Sequence, residues 1–160
     1  MTPIIYEGNI DVRFSDLDPY GHVNAKHYLD YVGSTRFQFM EQRLNMPNSE
    51  ILKRGFKFYM RKSQFEYLKP VEGCVKLYVR SFISHARGPR HTVSFEIQDA
   101  EKQTTFCQGS FEFILVNQED KLVRNAPDWM KELFFTQENQ DNRHRDFIKK
   151  HISQENSASI

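Results

Sequence analysis

The sequence has few of the features that serve disulfide scaffolds, metal sites or membrane proteins. It contains only two cysteines, Cys74 and Cys107, and their spacing does not suggest paired ligands. Neither a disulfide framework nor a zinc site is therefore expected, and a reducing cytoplasm is the expected location. No apolar run approaches the roughly 18 residues that cross a membrane. The first residues lack both the charged region and the apolar region of a signal peptide, so none is expected.

The sequence also lacks an excess of charge of either sign. The chain has 22 basic and 21 acidic residues, and its formal net charge is +1. Nucleic-acid partners are therefore not expected, because such partners select a basic surface. The 160 residues suit one domain, and a hydrophobic content of 39% can fill a core. The 14 phenylalanines and 7 tyrosines are the unusual count. They can fill that core, line an apolar acyl or aryl pocket, or do both.

The first third of the chain predicts a strand, a loop and a long helix. Apolar and charged residues alternate from about Ile4 to Phe14, which indicates a strand. A polar loop with a proline and a glycine follows. Apolar residues then recur at steps of three and four, which predicts a helix from Asn24 to Leu44. Asn24 is the expected N-cap, because its side chain can accept hydrogen bonds from free backbone amides. Turn-forming residues after Leu44 predict the helix end.

The remainder predicts strands and then a polar tail. Alternating patterns separated by turn signals predict four strands at about Phe56–Lys69, Val75–Ile83, Thr92–Gln98 and Thr104–Val116. One strand, one long helix and four strands in meander order predict an α+β domain with its sheet wrapped on the helix. We expect this domain to occupy residues 1–135, with a short helical piece after Pro127. Residues 136–160 are expected to form a polar tail, partly helical or disordered.

The loop between the first strand and the helix carries the residues most suited to chemistry. Free amides at a helix start attract negative charge that develops on a carbonyl oxygen. A nearby carboxylate, from Asp16 or Asp18, could attack that carbonyl or deprotonate a water molecule. Gly21 lets the backbone approach closely. This arrangement favours acyl transfer or hydrolysis. The same Asp-x-Asp-Pro stretch is also ordinary turn and cap chemistry, and the residues alone leave both interpretations open.

The loop and helix together resemble a known family. The segment Arg13–Asn24, with Tyr28, Tyr31 and Arg36 after it, resembles the 4-hydroxybenzoyl-CoA thioesterase branch of the hotdog superfamily. That branch has the pattern Asp-x-Asp-x-x-Gly-His-Val-Asn, then a spaced tyrosine and an arginine on the helix. The stretch Phe65–Gly73 resembles the family's second strand and its closing proline turn. The resemblance covers most of the chain and implies an antiparallel sheet of about five strands around one central helix.

The resemblance also implies residue roles and an assembly. The catalytic carboxylate of the family falls on Asp18, and Asp16 becomes a structural neighbour. The helix-end amides that hold the thioester carbonyl fall near Val23, Asn24 and Ala25. Family members are homodimers that pair edge to edge, often assembled into tetramers, with active sites at the interface. The resemblance also implies an acyl-CoA or aryl-CoA substrate. It implies no metal, and no cofactor apart from the CoA of the substrate.

Several positions depart from related patterns. His22 is a second catalytic candidate that could orient Asp18 or a water molecule. Plant acyl-carrier-protein thioesterases, however, have an asparagine where this chain has Tyr20, so their network cannot be carried over. Many relatives have a glutamate on the helix where Gly33 stands here. Tyr28 is expected to contact the substrate.

The phosphates of CoA require cations at the pocket mouth. Arg87 and Arg90 flank a Gly-Pro turn and are expected to bind them, with Arg61 and Lys62 as further candidates. These residues can equally be solvated surface charges. An acyl-carrier-protein substrate would dock its acidic helix on the same basic rim.

The sequence analysis therefore predicts an acyl-CoA thioesterase that yields a free acid and CoA, with Asp18 as nucleophile or general base. Three alternatives stay open: a hotdog acyl-carrier-protein thioesterase, a hotdog enoyl-CoA hydratase and a noncatalytic acyl-CoA-binding protein. The hydratase pattern has Asn-Pro between its aspartate and histidine, whereas here Pro19 directly follows Asp18, which argues against it. Retention of Asp18 argues against a noncatalytic protein.

Overall fold

The computed structural model describes residues 1–139 and 141–158. The strands are β1 (Thr2–Pro3), β2 (Tyr6–Asp11), β3 (Phe56–Tyr67), β4 (Lys76–Arg87), β5 (Arg90–Asp99), β6 (Thr105–Asn117) and β7 (Phe135–Thr136). The helices are α1 (His27–Arg43), α2 (Asn48–Lys53), α3 (Asp128–Lys131) and α4 (Asn142–Ala158), and a 3-10 turn spans Phe14–Asp16. Among the described residues, none of the helices combines the length and apolarity that crossing a bilayer requires.

Five strands form one antiparallel sheet in the order β2-β4-β5-β6-β3, and α1 packs on β2 and β4. The residues of the central strand β5 show how the two faces of this sheet differ. Its Val93, Phe95 and Ile97 belong to the hydrophobic core, whereas the alternating Ser94 and Glu96 point to the opposite face. The predicted α+β fold, a sheet wrapped on one long helix, is therefore confirmed.

The strand order corrects the predicted meander. β3 pairs with β6 rather than with β4, so it forms the far edge of the sheet. Close contact between β3 and β6 depends on Gly109, where a Cβ atom would lie 1.9 Å from the carbonyl oxygen of Gln64. The first strand is also shorter than predicted, because β2 ends at Asp11 and a 3-10 turn begins at Phe14.

The start of α1 also differs from the prediction. The helix begins at His27, and its N-cap position is Lys26 rather than Asn24. Asn24 instead stabilises a turn that precedes the helix. Its side-chain oxygen accepts a hydrogen bond from the Lys26 amide at 3.2 Å, and its carbonyl accepts one from the His27 amide at 3.0 Å. The predicted end is confirmed, since α1 ends at Arg43.

The C-terminal tail forms helix α4 and packs on β4. Among the α4 residues up to 153, whose side chains the structure describes, three are buried: His144, Phe147 and His151. The ring of Phe147 lies 5.1 Å from that of Phe82, edge to face. Most of the other contacts that hold α4 are charged, which is why its polar sequence gave little sign of docking.

Candidate active site

The loop holds Asp18 in a tight turn ahead of α1. One carboxylate oxygen, Oδ1, accepts hydrogen bonds from the amides of Tyr20 at 2.8 Å and His22 at 3.1 Å. The Gly21 amide donates to the Asp18 carbonyl at 3.0 Å, and Gly21 has a φ of 80°, which glycine adopts without strain. The other oxygen, Oδ2, has no hydrogen-bond partner in the described part of the chain. Asp18 is thus fixed through one oxygen and keeps the other available for a reaction.

Asp16 connects the loop to α1 and is only 1% exposed. Its Oδ2 accepts a hydrogen bond from the Tyr31 hydroxyl at 2.7 Å and one from the Arg13 amide at 3.1 Å, and His27 Nδ1 lies 3.7 Å from Oδ1. Burial raises the pKa of this carboxyl, but the hydrogen bonds from Tyr31 and Arg13 outweigh burial and hold the pKa below its ordinary value. These contacts suit a charged structural residue.

Two of the three amides expected to bind the thioester carbonyl already have acceptors. The Val23 amide donates to the Val71 carbonyl at 2.9 Å, and the Asn24 amide donates to the Asp16 carbonyl at 2.9 Å. Neither can serve a substrate without breaking a loop contact, which corrects the predicted roles of Val23 and Asn24. The Ala25 amide alone of the three has no acceptor within the described residues. The structure therefore narrows the candidate donor to Ala25.

His22 has a different partner from the one expected. Its Nε2 lies 3.3 Å from Oε1 of Glu72, and the backbones of the two residues form an isolated β-bridge. The imidazole therefore does not bond to Asp18. His22 instead contacts Asp18 through its backbone: its amide donates to the carboxylate, and its carbonyl accepts a hydrogen bond from the Asp18 amide at 2.7 Å.

Tyr28 lies in the interior rather than on an open surface. It is 4% exposed, and its ring packs 5.5 Å from Tyr67 and 6.2 Å from Tyr31. Burial raises the pKa of Tyr28 to about 12, so its hydroxyl stays protonated at neutral pH. In a single chain this ring offers little surface to a substrate, contrary to the expectation of a direct contact.

Arg87 and Arg90 lie far from the loop of their own chain. The start of β4 adjoins the end of β2, since the Val12 amide donates to the Val75 carbonyl at 2.9 Å. β4 then runs from Lys76 to Arg87, and eleven steps of about 3.3 Å place its ends about 36 Å apart. Within one chain, Arg87 and Arg90 therefore lie at the opposite end of the sheet from Asp18, and their role in binding the CoA phosphates stays a prediction. They border a broad polar groove of about 1480 Å³, together with Arg61, Lys62 and Arg124.

A second groove was not anticipated as such. It has a volume of about 720 Å³ and lies between α1, α2 and the part of the sheet that α1 leaves open; we call it the α1 groove. Its apolar lining includes Leu29, Phe37, Met40, Phe58, Val93 and Phe113. The high phenylalanine count was the one sequence signal for it. No cluster of His, Cys, Asp or Glu suited to a metal ion occurs among the described residues.

A sheet wrapped on one helix, with an acidic loop at the helix start, defines the hotdog class of thioester-cleaving enzymes. The model of the Thioesterase-like superfamily matches residues 12–134, and the chain belongs to that superfamily. A comparison with curated proteins finds no match.

Solved structures share the fold at low identity. A 1,4-dihydroxy-2-naphthoyl-CoA thioesterase from Synechocystis is 16% identical, with a TM-score of 0.72, over 81% of this chain and 94% of that one. A DHNA-CoA thioesterase from Staphylococcus aureus is 19% identical, with a TM-score of 0.70, over 79% of this chain and 87% of that one. A gentisyl-coenzyme A thioesterase is 15% identical, with a TM-score of 0.67, over 78% of this chain and 98% of that one.

Proposed function

We propose that the protein is an acyl-CoA thioesterase, which hydrolyses a thioester to a free acid and CoA. The observation that carries this proposal is that one loop, just before α1, holds both an Asp18 carboxylate oxygen and an Ala25 amide that have no hydrogen-bond partner among the described residues. The names of the similar solved structures support CoA as the carrier of the acyl group. A reducing cytoplasm suits the free cysteines, Cys74 and Cys107.

In the proposed reaction, the thioester carbonyl accepts a hydrogen bond from the Ala25 amide, which stabilises the negative charge that develops on its oxygen. Asp18 then acts in one of two ways. As a nucleophile, its free Oδ2 attacks the carbonyl carbon, the C–S bond breaks, CoA leaves as a thiolate, and water hydrolyses the resulting anhydride. As a general base, it takes a proton from the water that attacks the same carbon, after which the C–S bond breaks and CoA leaves as a thiolate.

A homodimer completes the proposed site. β3 is a sheet edge of 12 residues that pairs, among the described residues, only with β6, and it carries the exposed Tyr59, Met60 and Tyr67. Such an edge is a template for a second strand. Antiparallel pairing of β3 with its copy across a two-fold axis brings the partner's β4–β5 turn towards this chain's loop. Arg87 and Arg90 of one chain then bind the CoA phosphates at the other chain's site.

Replacement of Asp18 tests the proposal. We expect Asp18→Asn to lower kcat by about 10²- to 10⁴-fold in a screen of aliphatic and aromatic acyl-CoA substrates, because the amide neither attacks nor accepts a proton. Asp11→Asn, which changes an exposed aspartate, is the matched control. A folded Asp18→Asn protein that keeps most of its activity would contradict the assignment. Labelled oxygen found in the enzyme carboxylate after one turnover in H₂¹⁸O identifies the nucleophilic route.

A further inference from the structure

The α1 groove contains a guanidinium group without a carboxylate partner in the part of the chain that the structure describes. Arg36 lines this groove, and its Nη1 donates to the Ser81 hydroxyl at 2.9 Å. The guanidinium carbon lies 4.1 Å above the Tyr6 ring. No carboxylate within the described residues lies at ion-pair distance from Arg36. A guanidinium has five N–H donors, and buried charges are normally paired, so this cation is equipped to bind an anion.

The groove side of Arg36 has room for such an anion. Gly33 lies one helical turn earlier and also lines the groove, and a Cβ atom there would meet nothing within 4 Å. Burial lowers the pKa of Arg36 from its ordinary value, which fits a cation held away from bulk water. A carboxylate placed beside Gly33 would therefore meet a partly desolvated, unpaired cation.

The groove also connects this cation to the loop. Arg13, just before the 3-10 turn, and Leu29, in the first turn of α1, also line it, and Arg13 is the residue whose guanidinium bonds to Asp16. From His27 to Arg36 the helix rises nine residues, or about 14 Å. An acyl chain whose thioester lies at the helix start can therefore follow the apolar lining and end near Arg36.

We propose that the α1 groove binds an acyl chain that ends in a second carboxylate, and that Arg36 pairs with this carboxylate. The preferred substrate class is then the CoA monothioester of a dicarboxylic acid. This inference rests on the proposed thioesterase function for its reaction, but the binding site itself does not.

Paired substrates test the proposal. The kcat/KM values are measured for CoA thioesters of dicarboxylic acids with six, ten and fourteen carbons and for the monocarboxylic thioesters of equal length. We expect the dicarboxylic member to be preferred at the length that reaches Arg36. Replacement of Arg36 by methionine is expected to lower that ratio by about 10- to 100-fold, the value of a hydrogen bond to a charged group.

Two further variants sharpen the test. Gly33→Glu places a carboxylate three residues before Arg36, where it can pair with the guanidinium within the helix, and it should lower the same ratio. Arg43→Met removes an exposed cation from the same helix and should leave the ratio unchanged. Urea unfolding of each variant verifies that it is folded.

Binding without turnover separates this inference from the proposed function. Isothermal titration calorimetry measures binding of the free dicarboxylic acid and of its monocarboxylic counterpart to the wild type and to Arg36→Met. Equal hydrolysis of both thioesters by the wild type overturns the inference and leaves the thioesterase function standing. Arg36-dependent binding of the dicarboxylate, with no thioester cleaved, supports the site and overturns the function. Binding that does not depend on Arg36 overturns the site.

Discussion

Gly109 and Gly33 have opposite surroundings. At Gly109 the backbone of β6 lies against that of β3, and an added Cβ atom would come 1.9 Å from the Gln64 carbonyl oxygen and 3.1 Å from Phe95. At Gly33, in the middle of α1, an added Cβ atom meets nothing within 4 Å. Gly109 is required by packing, whereas Gly33 leaves space in a groove.

We expect Gly109→Ala to lower the free energy of unfolding by about 3 kcal/mol, because backbone atoms cannot move aside as a side chain can. Gly33→Ala should raise it by about 0.5–1 kcal/mol, because alanine loses less entropy than glycine in a helix. Urea unfolding of the two variants measures both changes. A Gly109→Ala protein as stable as the wild type would contradict the close approach of β3 and β6.

The residues of the Asp18 loop differ in how far the sequence could predict their roles. Asp18 and Gly21 lie in one short motif, and both the carboxylate and the turn follow from local chemistry. The hydrogen bond of the Val23 amide could not be predicted in this way, because its acceptor is the Val71 carbonyl, which lies far along the chain. A local pattern predicts which groups are present, whereas long-range folding decides which of them are already used.

At the scale of elements, α4 is held by ionic contacts to the sheet. Glu96 on β5 is 3% exposed, and Arg80 donates to it at 2.9 Å. From α4, Lys150 and His151 approach the same carboxylate at 3.4 Å. Burial raises the pKa of Glu96, but His151, Arg80 and Lys150 outweigh it and lower the pKa from 4.5 to about 2.

This lowered pKa predicts how stability depends on pH. A carboxyl with a depressed pKa in the folded state stabilises the fold above its unfolded pKa, and this stability is lost as the pH falls towards the folded value. For Glu96 the window runs from about 4.5 down to about 2, and the loss amounts to about 3 kcal/mol. Urea unfolding at pH 7, 4.5 and 3 measures it. Glu96→Gln should flatten the dependence, and the exposed Glu119→Gln should not.

The elements themselves were unequally predictable. Alternation revealed β4, β5 and β6, because one face of each strand is buried in the core. Strand order was not predictable, since the position of β3 beside β6 depends on pairing between distant segments. Docking of α4 was hard to predict as well, because most of its contacts to the sheet are ionic and are joined by one short apolar segment at Phe147 and Ile148.

At the scale of the whole molecule, the proposed dimer joins parts that one chain keeps apart. The loop with Asp18 and the turn with Arg87 and Arg90 lie at opposite ends of the sheet. Antiparallel pairing of β3 across a two-fold axis gives each site one loop and one turn from different chains. A particle of twice 19.1 kDa is the mass expected by light scattering.

Mixed dimers test this shared site. Asp18→Asn and the double variant Arg87→Ala/Arg90→Ala should each be poorly active alone. After mixing, unfolding and refolding in equal amounts, half of the dimers are mixed, and each mixed dimer has one intact site. We expect activity at low substrate to return to about a quarter of the wild-type value. Activity equal to the sum of the separate variants would show that each site belongs to a single chain.

The hydrogen bonds inside the Asp18 loop have a consequence for the rate of substrate capture. Asp16, Asp18, Val23 and Asn24 all have their partners before any ligand arrives. The conformational entropy of this segment is therefore lost when the chain folds, and not when a substrate binds. Association should follow the frequency of encounters in one kinetic phase, with no slower step in which the loop closes. Stopped-flow mixing of Asp18→Asn protein with a fluorescent acyl-CoA would reveal a second phase if the loop had to rearrange.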